Sequence, residues 1–240
     1  MPTVPKWIND ALEQIAPSML RIIKVVDVYY ISPNLKKISI QGDFSTLNFS
    51  PGFTISFRVN ATDLRHYTVS YGDNQKDIIE SVVYLHGDAA GSNFINKLKV
   101  GEDGIKIAIL GSDKQYNPNV KKQILFGDET SLSLMSSFLP VLKNNKHEFK
   151  LLIELDEDNT ESPKKLGLEN YTVFLKQDVF RDMEKIRDLS IFKNNEWEDA
   201  NIILTGNVTS LRNFRKILKE KGHKGKIYAK GYWLEGKKGL

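Results

Sequence analysis

The spacing of hydrophobic positions changes part-way along the chain, near residue 91. From Leu20 to about Leu85, short runs rich in β-branched and aromatic residues, among them RIIKVVDVYYI, LKKISIQG and FTISFRVN, are separated by turn residues. Closely spaced strands of this kind predict a small antiparallel β-barrel. Ahead of them, an apolar stripe at helical spacing from Trp7 to Ile15 predicts a short amphipathic helix.

After Gly91 the chain alternates between apolar strands and amphipathic helices. The strands are IKIAIL, KQILFG, EFKLLIEL, YTVFL and NIILTG, and helices are predicted over residues 130–143 and 209–221. Such alternation is typical of a parallel sheet, and the glycines and charges of KVGEDG place the domain boundary near residues 99 to 104. We therefore predict an α+β chain of two domains, with an N-terminal helix over residues 1–18, an antiparallel β-barrel over 19–100 and an α/β parallel-sheet domain over 101–240.

Composition narrows the possible chemistry. The chain has no cysteine, which excludes disulfides, thiolate zinc sites and cysteine nucleophiles, so any redox reaction requires a bound cofactor. Thirty-four Lys and Arg against 30 Asp and Glu leave a net charge of +4, and the four histidines lack zinc-site spacing. This charge suits anionic ligands but is too small for a nucleic-acid footprint. Asp10 and Glu13 interrupt any secretory signal and no apolar run is long enough to span a membrane, so we expect a cytoplasmic location.

The first candidate site is the predicted barrel strand RHYTVS at residues 65–70. Alternation places Arg65, Tyr67 and Val69 on one face of this strand. A guanidinium suits a pyrophosphate because it makes two charge-assisted hydrogen bonds, and a nearby tyrosine offers a flat face to an aromatic ring system. From these residues alone, a half-exposed barrel strand without a ligand is the competing interpretation.

Four further regions place small, aromatic or charged residues at strand ends. The turn HGDAAGSNF at residues 86–94 precedes a predicted helix, whose N-terminus favours phosphate oxygens. FGDETSL and ILTGN end apolar strands where open α/β sheets bind ligands, although helix capping by Asp128 or Thr130 explains the first of these equally well. The C-terminal GYWLEGKK supplies two aromatic residues and two lysines.

In residues and in order, these segments resemble the siderophore-interacting protein family of the ferredoxin reductase superfamily. RHYT at residues 65–68 is similar to the Arg-x-Tyr-Ser/Thr flavin motif, and HGD at 86–88 followed by Ala90 and Gly91 resembles the next flavin-contacting turn. GDET at 127–130 resembles a turn characteristic of the family, and GYW at 231–233 agrees with its C-terminus. The resemblance covers about residues 20 to 240.

The resemblance implies an FAD-dependent reductase that releases iron from ferric siderophores as Fe(II), with electrons from NADPH or NADH. The barrel would then be the FAD-binding domain and the α/β domain would be NAD(P)H-binding-like. Tyr67 and Thr68 would be the catalytic residues, next to the reacting flavin. The implied cofactor-binding residues are Arg65, Tyr67, Thr68, Val69, Ser70, His86, Gly87, Asp88, Ala90, Gly91, Ser92, Asp128, Thr130, Tyr232 and Trp233. Basic side chains that would attract an anionic ferric chelate are Arg58, Lys237 and Lys238.

The sequence departs from the family pattern in the second domain. Ser112 and Asn207 stand in turns where the family has Gly-Pro-Arg-Gly and Gly-Glu-Ala. These departures keep two alternatives open: a non-enzymatic flavin- or siderophore-binding protein, and a flavin reductase fed by ferredoxin. Reduction by a pyridine nucleotide would distinguish the leading hypothesis from both.

Overall fold

The computed structural model describes residues 20–111 and 115–237. The helix predicted over residues 1–18, the turn at residues 112–114 and Lys238 lie outside the described residues. The chain divides into two compact units, residues 1–113 and 114–240, each with its own sheet.

The first unit is a curled antiparallel sheet. Its strands are β1 (Leu20–Ser32), β2 (Leu35–Gly42), β3 (Thr54–Arg58), β4 (Leu64–Thr68), β5 (Tyr71–Asp73), β6 (Ile78–Tyr84) and β7 (Ile105–Leu110), and the helix α1 (Ala90–Lys97) follows β6. The strand order is β4-β3-β7-β1-β2-β6-β5. The sheet curls because the end of β4 meets β6: the Ser70 N–H donates to the Glu80 carbonyl and the Ser81 hydroxyl donates to the Thr68 carbonyl, both at 2.8 Å.

The strand Ile105–Leu110 lies in the first unit, whereas the predicted boundary at residues 99–104 assigned it to the second. It pairs antiparallel with both β1 and β3, with Ile105 opposite Ile23 and Ile107 opposite Phe57. The run IKIAIL is apolar apart from Lys106 and therefore matches a buried parallel strand as well as a barrel strand. The two kinds of strand differ in their long-range pairing partners, and these cannot be read from the local sequence.

The second unit is a five-stranded parallel sheet covered by helices. Its strands are β8 (Lys122–Gly127), β9 (Glu148–Leu155), β10 (Tyr171–Leu175), β11 (Asn201–Asn207) and β12 (Ile227–Trp233), in the order β10-β9-β8-β11-β12. The helices are α2 (Leu132–Asn144), α3 (Ser162–Lys165), α4 (Met183–Arg187) and α5 (Val208–Glu220). Since all neighbouring strands run parallel, their carboxyl ends share one edge.

The hydrophobic core of the second unit fixes α5 against this sheet. Phe214 of α5 packs on Phe126 of β8 and on Phe180, with ring centroids 5.3 Å apart in each pair. All three side chains are fully buried. The predicted fold class, an antiparallel β-barrel followed by a parallel α/β sheet, is confirmed. Within the described ranges, no helix has the length and apolar character needed to cross a membrane.

Candidate functional site

One face of β4 carries Arg65 and Tyr67, as alternation along a strand requires. In the pairing of β4 with β3, Arg65 lies opposite Phe57 and Tyr67 lies opposite Ile55. The Tyr67 ring packs edge-on against Phe57 with centroids 6.0 Å apart. Burial raises the pKa of the Tyr67 phenol far above its ordinary value, although the Arg65 charge acts in the opposite direction. Tyr67 therefore presents a neutral hydroxyl on a rigid ring.

Gly91, the second residue of α1, lies directly against that face. A Cβ atom on Gly91 would be 2.5 Å from the Tyr67 hydroxyl oxygen and 3.1 Å from Arg65 Cγ, so a side chain here has no room. The backbone at the start of α1 therefore approaches Arg65 and Tyr67 closely. The structure brings together residues that the sequence places in two separate motifs.

The N-terminus of α1 lacks the usual side-chain cap. Its N-cap residue, Ala89, makes no side-chain hydrogen bond, and the first turn contains no acidic residue. The aliphatic stem of Arg65 lies beside this turn, and its guanidinium is 2.8 Å from the Leu64 carbonyl and 3.5 Å from the Asp63 carboxylate. A helix N-terminus and a guanidinium both favour an anion. The arrangement fits a diphosphate, which would supply the acceptors that the helix lacks.

The turn that leads into α1 is held by its own hydrogen bonds. The His86 N–H donates to Ser92 Oγ at 3.0 Å, and the Asn93 amide donates to the Asp88 carboxylate at 2.6 Å. Gly87 has a φ of 55°, in the left-handed region that favours glycine. These bonds give the loop between β6 and α1 a defined shape next to Gly91.

Backbone groups at the end of β4 form hydrogen bonds within the barrel. Thr68, Val69 and Ser70 are all buried. The Val69 N–H donates to the Phe53 carbonyl at 2.8 Å, and the Ser70 N–H is taken by Glu80 as described above. Contacts of these three residues with a flavin remain a prediction, and Val69 and Ser70 would have to use side chains or carbonyl groups for them.

In the second unit, the Asp128 carboxylate joins three strand ends at the carboxyl edge of the sheet. It accepts hydrogen bonds from the N–H and the hydroxyl of Thr130, from the Asn207 N–H at 2.8 Å and from the Trp233 indole at 2.6 Å. Gly206, with φ 93°, makes room for it, because a Cβ there would lie 2.7 Å from the carboxylate. Three predicted cofactor-binding residues, Asp128, Thr130 and Trp233, are thus brought together by bonds to one another.

A second buried carboxylate, Glu129, adjoins this cluster. Its Oε1 accepts from the Asp156 N–H at 2.7 Å and from the Asn159 amide at 2.9 Å, while the Lys176 ammonium lies 2.7 Å from its Oε2. Burial raises the pKa of the Glu129 carboxyl, and the Lys176 charge opposes that shift. Lys176 also lies 5.7 Å from the centre of the Trp233 ring. Trp233 therefore contacts both the Asp128 carboxylate and the Lys176 ammonium.

At this edge the chain's own side chains accept from the N-terminus of α5 and from the 3₁₀ turn ahead of α2. Asn207 caps α5, since its Oδ1 accepts from the N–H groups of Thr209 at 2.8 Å and Ser210 at 3.2 Å. Asp128 likewise accepts from the Thr130 N–H at the start of the 3₁₀ turn Glu129–Ser131, whereas Ser131, the N-cap residue of α2, makes no side-chain cap hydrogen bond. A phosphate group at either turn would have to displace these acceptors, which is the opposite of the situation at α1.

The remaining predicted residues of the described ranges are Arg58, Tyr232 and Lys237. Arg58, at the end of β3, donates to the Ala61 carbonyl at 3.0 Å. Tyr232 lies on β12, with the Lys230 ammonium 5.8 Å from its ring centre. Lys237 is exposed. The assignment of Arg58 and Lys237 to substrate remains a prediction.

Sequence reasoning missed two charged residues of the second unit. Glu154 is 1% exposed in β9, and Lys176 directly follows β10. The signal for Glu154 is a lone acid within the apolar run LLIEL. The signal for Lys176 is its position, because residues that follow parallel strands gather at the carboxyl edge where Asp128 and Asn207 were expected.

The fold is that of the ferredoxin reductases. A variant of the ferredoxin-NADP+ reductase of Plasmodium falciparum matches with a TM-score of 0.64 and 19% identity, over 88% of this chain and 95% of that chain. The sequence matches no protein family model and no curated protein.

Within that class, the chain is similar in fold to siderophore-interacting proteins. The protein of Acinetobacter baumannii gives a TM-score of 0.72 and 20% identity, over 91% of this chain and 92% of that chain. The protein of Aeromonas hydrophila gives 0.73 and 17%, over 92% of this chain and 93% of that chain. The resemblance predicted from the motifs is confirmed for the fold, over nine-tenths of the chain.

Proposed function

We propose that this protein is an FAD-dependent reductase of ferric siderophores that releases iron as Fe(II). The observation that carries the proposal is the contact of Arg65 and Tyr67 with Gly91 at the uncapped N-terminus of α1. The likeness in fold to ferredoxin reductases and siderophore-interacting proteins supports it.

The proposal assigns specific roles in the first unit to Arg65, Tyr67, Thr68, the start of α1 and the turn that precedes it. Arg65 and the first N–H groups of α1 bind the diphosphate of FAD, because both present donors to an anion. Tyr67 packs against the flavin and ribityl part with a neutral ring, and Thr68 lies next to the reacting atoms. The turn over residues 86–92 holds the start of α1 in place.

FAD, when bound, accepts a hydride from a reduced nicotinamide and passes electrons one at a time, which suits a one-electron Fe(III) acceptor. Hard oxygen ligands bind Fe(II) more weakly than Fe(III), so the reduced metal leaves the chelate. Arg58, Lys237 and Lys238 are the residues we propose to attract an anionic ferric siderophore. We propose the cytoplasm as the compartment.

NADPH or NADH is the proposed electron donor, and the carboxyl edge of the second sheet is its proposed site. One observation favours a second candidate function, a flavin reductase fed by ferredoxin. The turns after β8 and β11 direct their N–H groups to Asp128 and Asn207, which reduces what they can offer to a nucleotide phosphate. A protein donor would not need those groups.

The visible spectrum of the purified protein tests the proposal. The protein is incubated with FAD, desalted, and mixed anaerobically with NADPH, NADH or reduced ferredoxin, followed by a ferric chelate. Retained flavin that bleaches with a nicotinamide and recovers with the chelate is the expected result. Bleaching by ferredoxin alone would favour the second candidate, and a protein that retains no flavin would contradict both.

A further inference from the structure

A lysine is buried at the far end of α1 from Gly91. Lys36 on β2 is only 2% exposed. Its ammonium donates to the carbonyl groups of Ile95 at 2.9 Å, Asn96 at 3.0 Å and Leu98 at 2.8 Å. All three donors of the ammonium are used, and all three acceptors belong to the last turn of α1 or the residue that follows it.

The position of Lys36 on its strand explains why it is buried. Alternation along β2 places Lys36 on the same face as Ile38 and Ile40, which are fully buried, whereas Lys37 faces the other side. Burying an ammonium is costly unless hydrogen bonds replace its water. Burial lowers the pKa of Lys36, although the Glu102 charge acts in the opposite direction.

The C-terminus of α1 is where a cation is most useful to the helix. The last carbonyl groups of a helix have no partner within it and carry a partial negative charge. The Tyr30 hydroxyl adds a further bond to this end by donating to the Asn96 side chain at 2.5 Å. The C-terminal end of α1 is therefore fixed to β1 and β2 by polar contacts.

The N-terminus of α1 is held by the turn before it, through the bonds from the His86 N–H to Ser92 Oγ and from the Asn93 amide to the Asp88 carboxylate. Ala89 provides no cap and the first turn has no acid, while Gly91 rests on Arg65 and Tyr67. With eight residues, α1 is below the length of about 12 to 15 residues at which an isolated helix becomes stable in water. It depends on tertiary contacts, and the strongest polar ones are those of Lys36.

We propose that Lys36 is a positioning residue for the diphosphate of FAD, acting through α1 over about 12 Å, the length of eight helical residues. The inference rests on the proposed function. The buried ammonium holds the negative end of the helix, and its positive end is thereby presented, uncapped, next to Arg65. Lys36 touches neither the diphosphate nor the flavin in this proposal.

Lys36→Met tests the inference, with Lys36→Arg as the conservative variant. We expect Lys36→Met to weaken FAD binding about 5- to 30-fold, the upper part of the range for a charge at a helix terminus. Riboflavin, which has no phosphate, is expected to bind as it does to the wild type. Lys36→Arg keeps the charge and is expected to recover most of the FAD affinity.

Lys37→Met is the matched control, because Lys37 is the next residue on β2 and its ammonium pairs with Glu80 at the surface. It is expected to leave both affinities within about twofold of the wild type, as for other partly exposed ion pairs. Equal losses of FAD and riboflavin in Lys36→Met, or an unchanged FAD affinity, would overturn the inference. A wild-type protein that binds no FAD would instead remove the proposed function on which it rests.

A measurement on the wild type covers the case in which the variants fail to fold. In 15N-lysine-labelled protein, the Lys36 ammonium is buried and fully hydrogen-bonded, so its signal is distinct from those of the surface lysines. We expect this signal to shift when inorganic pyrophosphate is added and to stay in place with riboflavin. A signal indifferent to pyrophosphate would contradict coupling through α1.

Discussion

A methyl group at Gly91 would lie 2.5 Å from the Tyr67 hydroxyl, so this position reports directly on the contact that defines the candidate flavin site. Alanine normally stabilises a helix relative to glycine by about 0.5–1 kcal/mol. Overpacking costs about 1–3 kcal/mol and outweighs that gain. We therefore expect Gly91→Ala to lower both the free energy of unfolding and the affinity for FAD.

The double variant Gly91→Ala/Tyr67→Phe checks the cause. Removing the phenol oxygen leaves Arg65 Cγ, 3.1 Å from the new Cβ, as the nearest remaining atom. Urea unfolding should show part of the lost stability restored in the double variant. A double variant that is as unstable as the sum of its single changes would mean that the Tyr67 hydroxyl is not what the new methyl group meets.

Arg65→Ala is expected to weaken FAD binding by removing a guanidinium from the diphosphate. Hydrogen bonds to charged groups contribute about 1.5–3 kcal/mol each, so the loss of one corresponds to about 10- to 150-fold in Kd. Fluorescence titration of the apoprotein with FAD measures the change. Arg187→Ala, which breaks surface ion pairs with Glu184 and Glu220 in the second unit, is the control. Equal affinities in the two variants would move the diphosphate away from Arg65.

Among the elements of the second unit, three strand ends depend on a single carboxylate. Asp128 serves four donors from Thr130, Asn207 and Trp233. Asparagine offers one acceptor oxygen in place of two, so Asp128→Asn leaves about two buried donors unsatisfied at about 1–3 kcal/mol each. We expect a loss of about 2–6 kcal/mol in urea unfolding, together with a change in the near-ultraviolet circular dichroism of Trp233.

Asp182→Asn is the matched control for that prediction. Asp182 also caps a helix, accepting from the N–H groups of Glu184 and Lys185 at the start of α4, and within the described residues it joins no strand ends. Aspartate and asparagine are nearly equivalent as N-caps. Its stability should stay within about 0.5 kcal/mol of the wild type. Similar losses of stability in the two variants would mean that Asp128 contributes no more than a helix N-cap does.

The elements themselves were predictable because their periodicity is local. The helix predicted over residues 130–143 is observed at Leu132–Asn144, and that predicted over 209–221 is observed at Val208–Glu220. The capping role of Asp128 could also be predicted from the sequence. Its bond to Trp233 could not be predicted, because the two residues are 105 positions apart and no local pattern links them.

For the molecule as a whole, stability depends on pH through charges buried in its sheets. Burial raises the pKa of the Glu154 carboxyl, and the Ser210 hydroxyl and the Arg181 charge oppose that shift. The folded state thus binds this proton more tightly than the unfolded state, so stability falls as pH rises from the ordinary glutamate pKa through the raised one. Glu154→Gln removes the ionisation, and we expect it to be more stable than the wild type at pH 7.

That difference should shrink as pH is lowered, because wild-type Glu154 then becomes neutral as well. Urea unfolding between pH 4 and pH 8 measures it. Glu169→Gln, which changes an exposed acid paired with Lys143, is the control and is expected to stay within about 0.5 kcal/mol of the wild type. A Glu154→Gln variant that is less stable than the wild type at pH 7 would mean that the buried charge is stabilising.

For the whole molecule, the sequence predicted an antiparallel and a parallel sheet, but it did not predict which strand is the last of the antiparallel sheet. The barrel takes its last strand from Ile105–Leu110, because the pairing partners of an apolar run lie elsewhere in the chain. Lys36 shows the same limit in a single residue. Its place on the same face as Ile38 and Ile40 follows from local alternation, whereas the three carbonyl groups that accept its hydrogen bonds lie about 60 positions further on.

The bond from Trp233 to Asp128 also has a consequence during protein synthesis. Trp233 is the last residue of β12, and Asp128 emerges from the ribosome 105 residues earlier. At about 5–20 residues per second, this interval is on the order of 5 to 20 s. During this interval the Asp128 carboxylate is without the hydrogen bond from the Trp233 indole. A chain that stops before β12 keeps this defect permanently, so truncated products should be preferred substrates for cellular proteases.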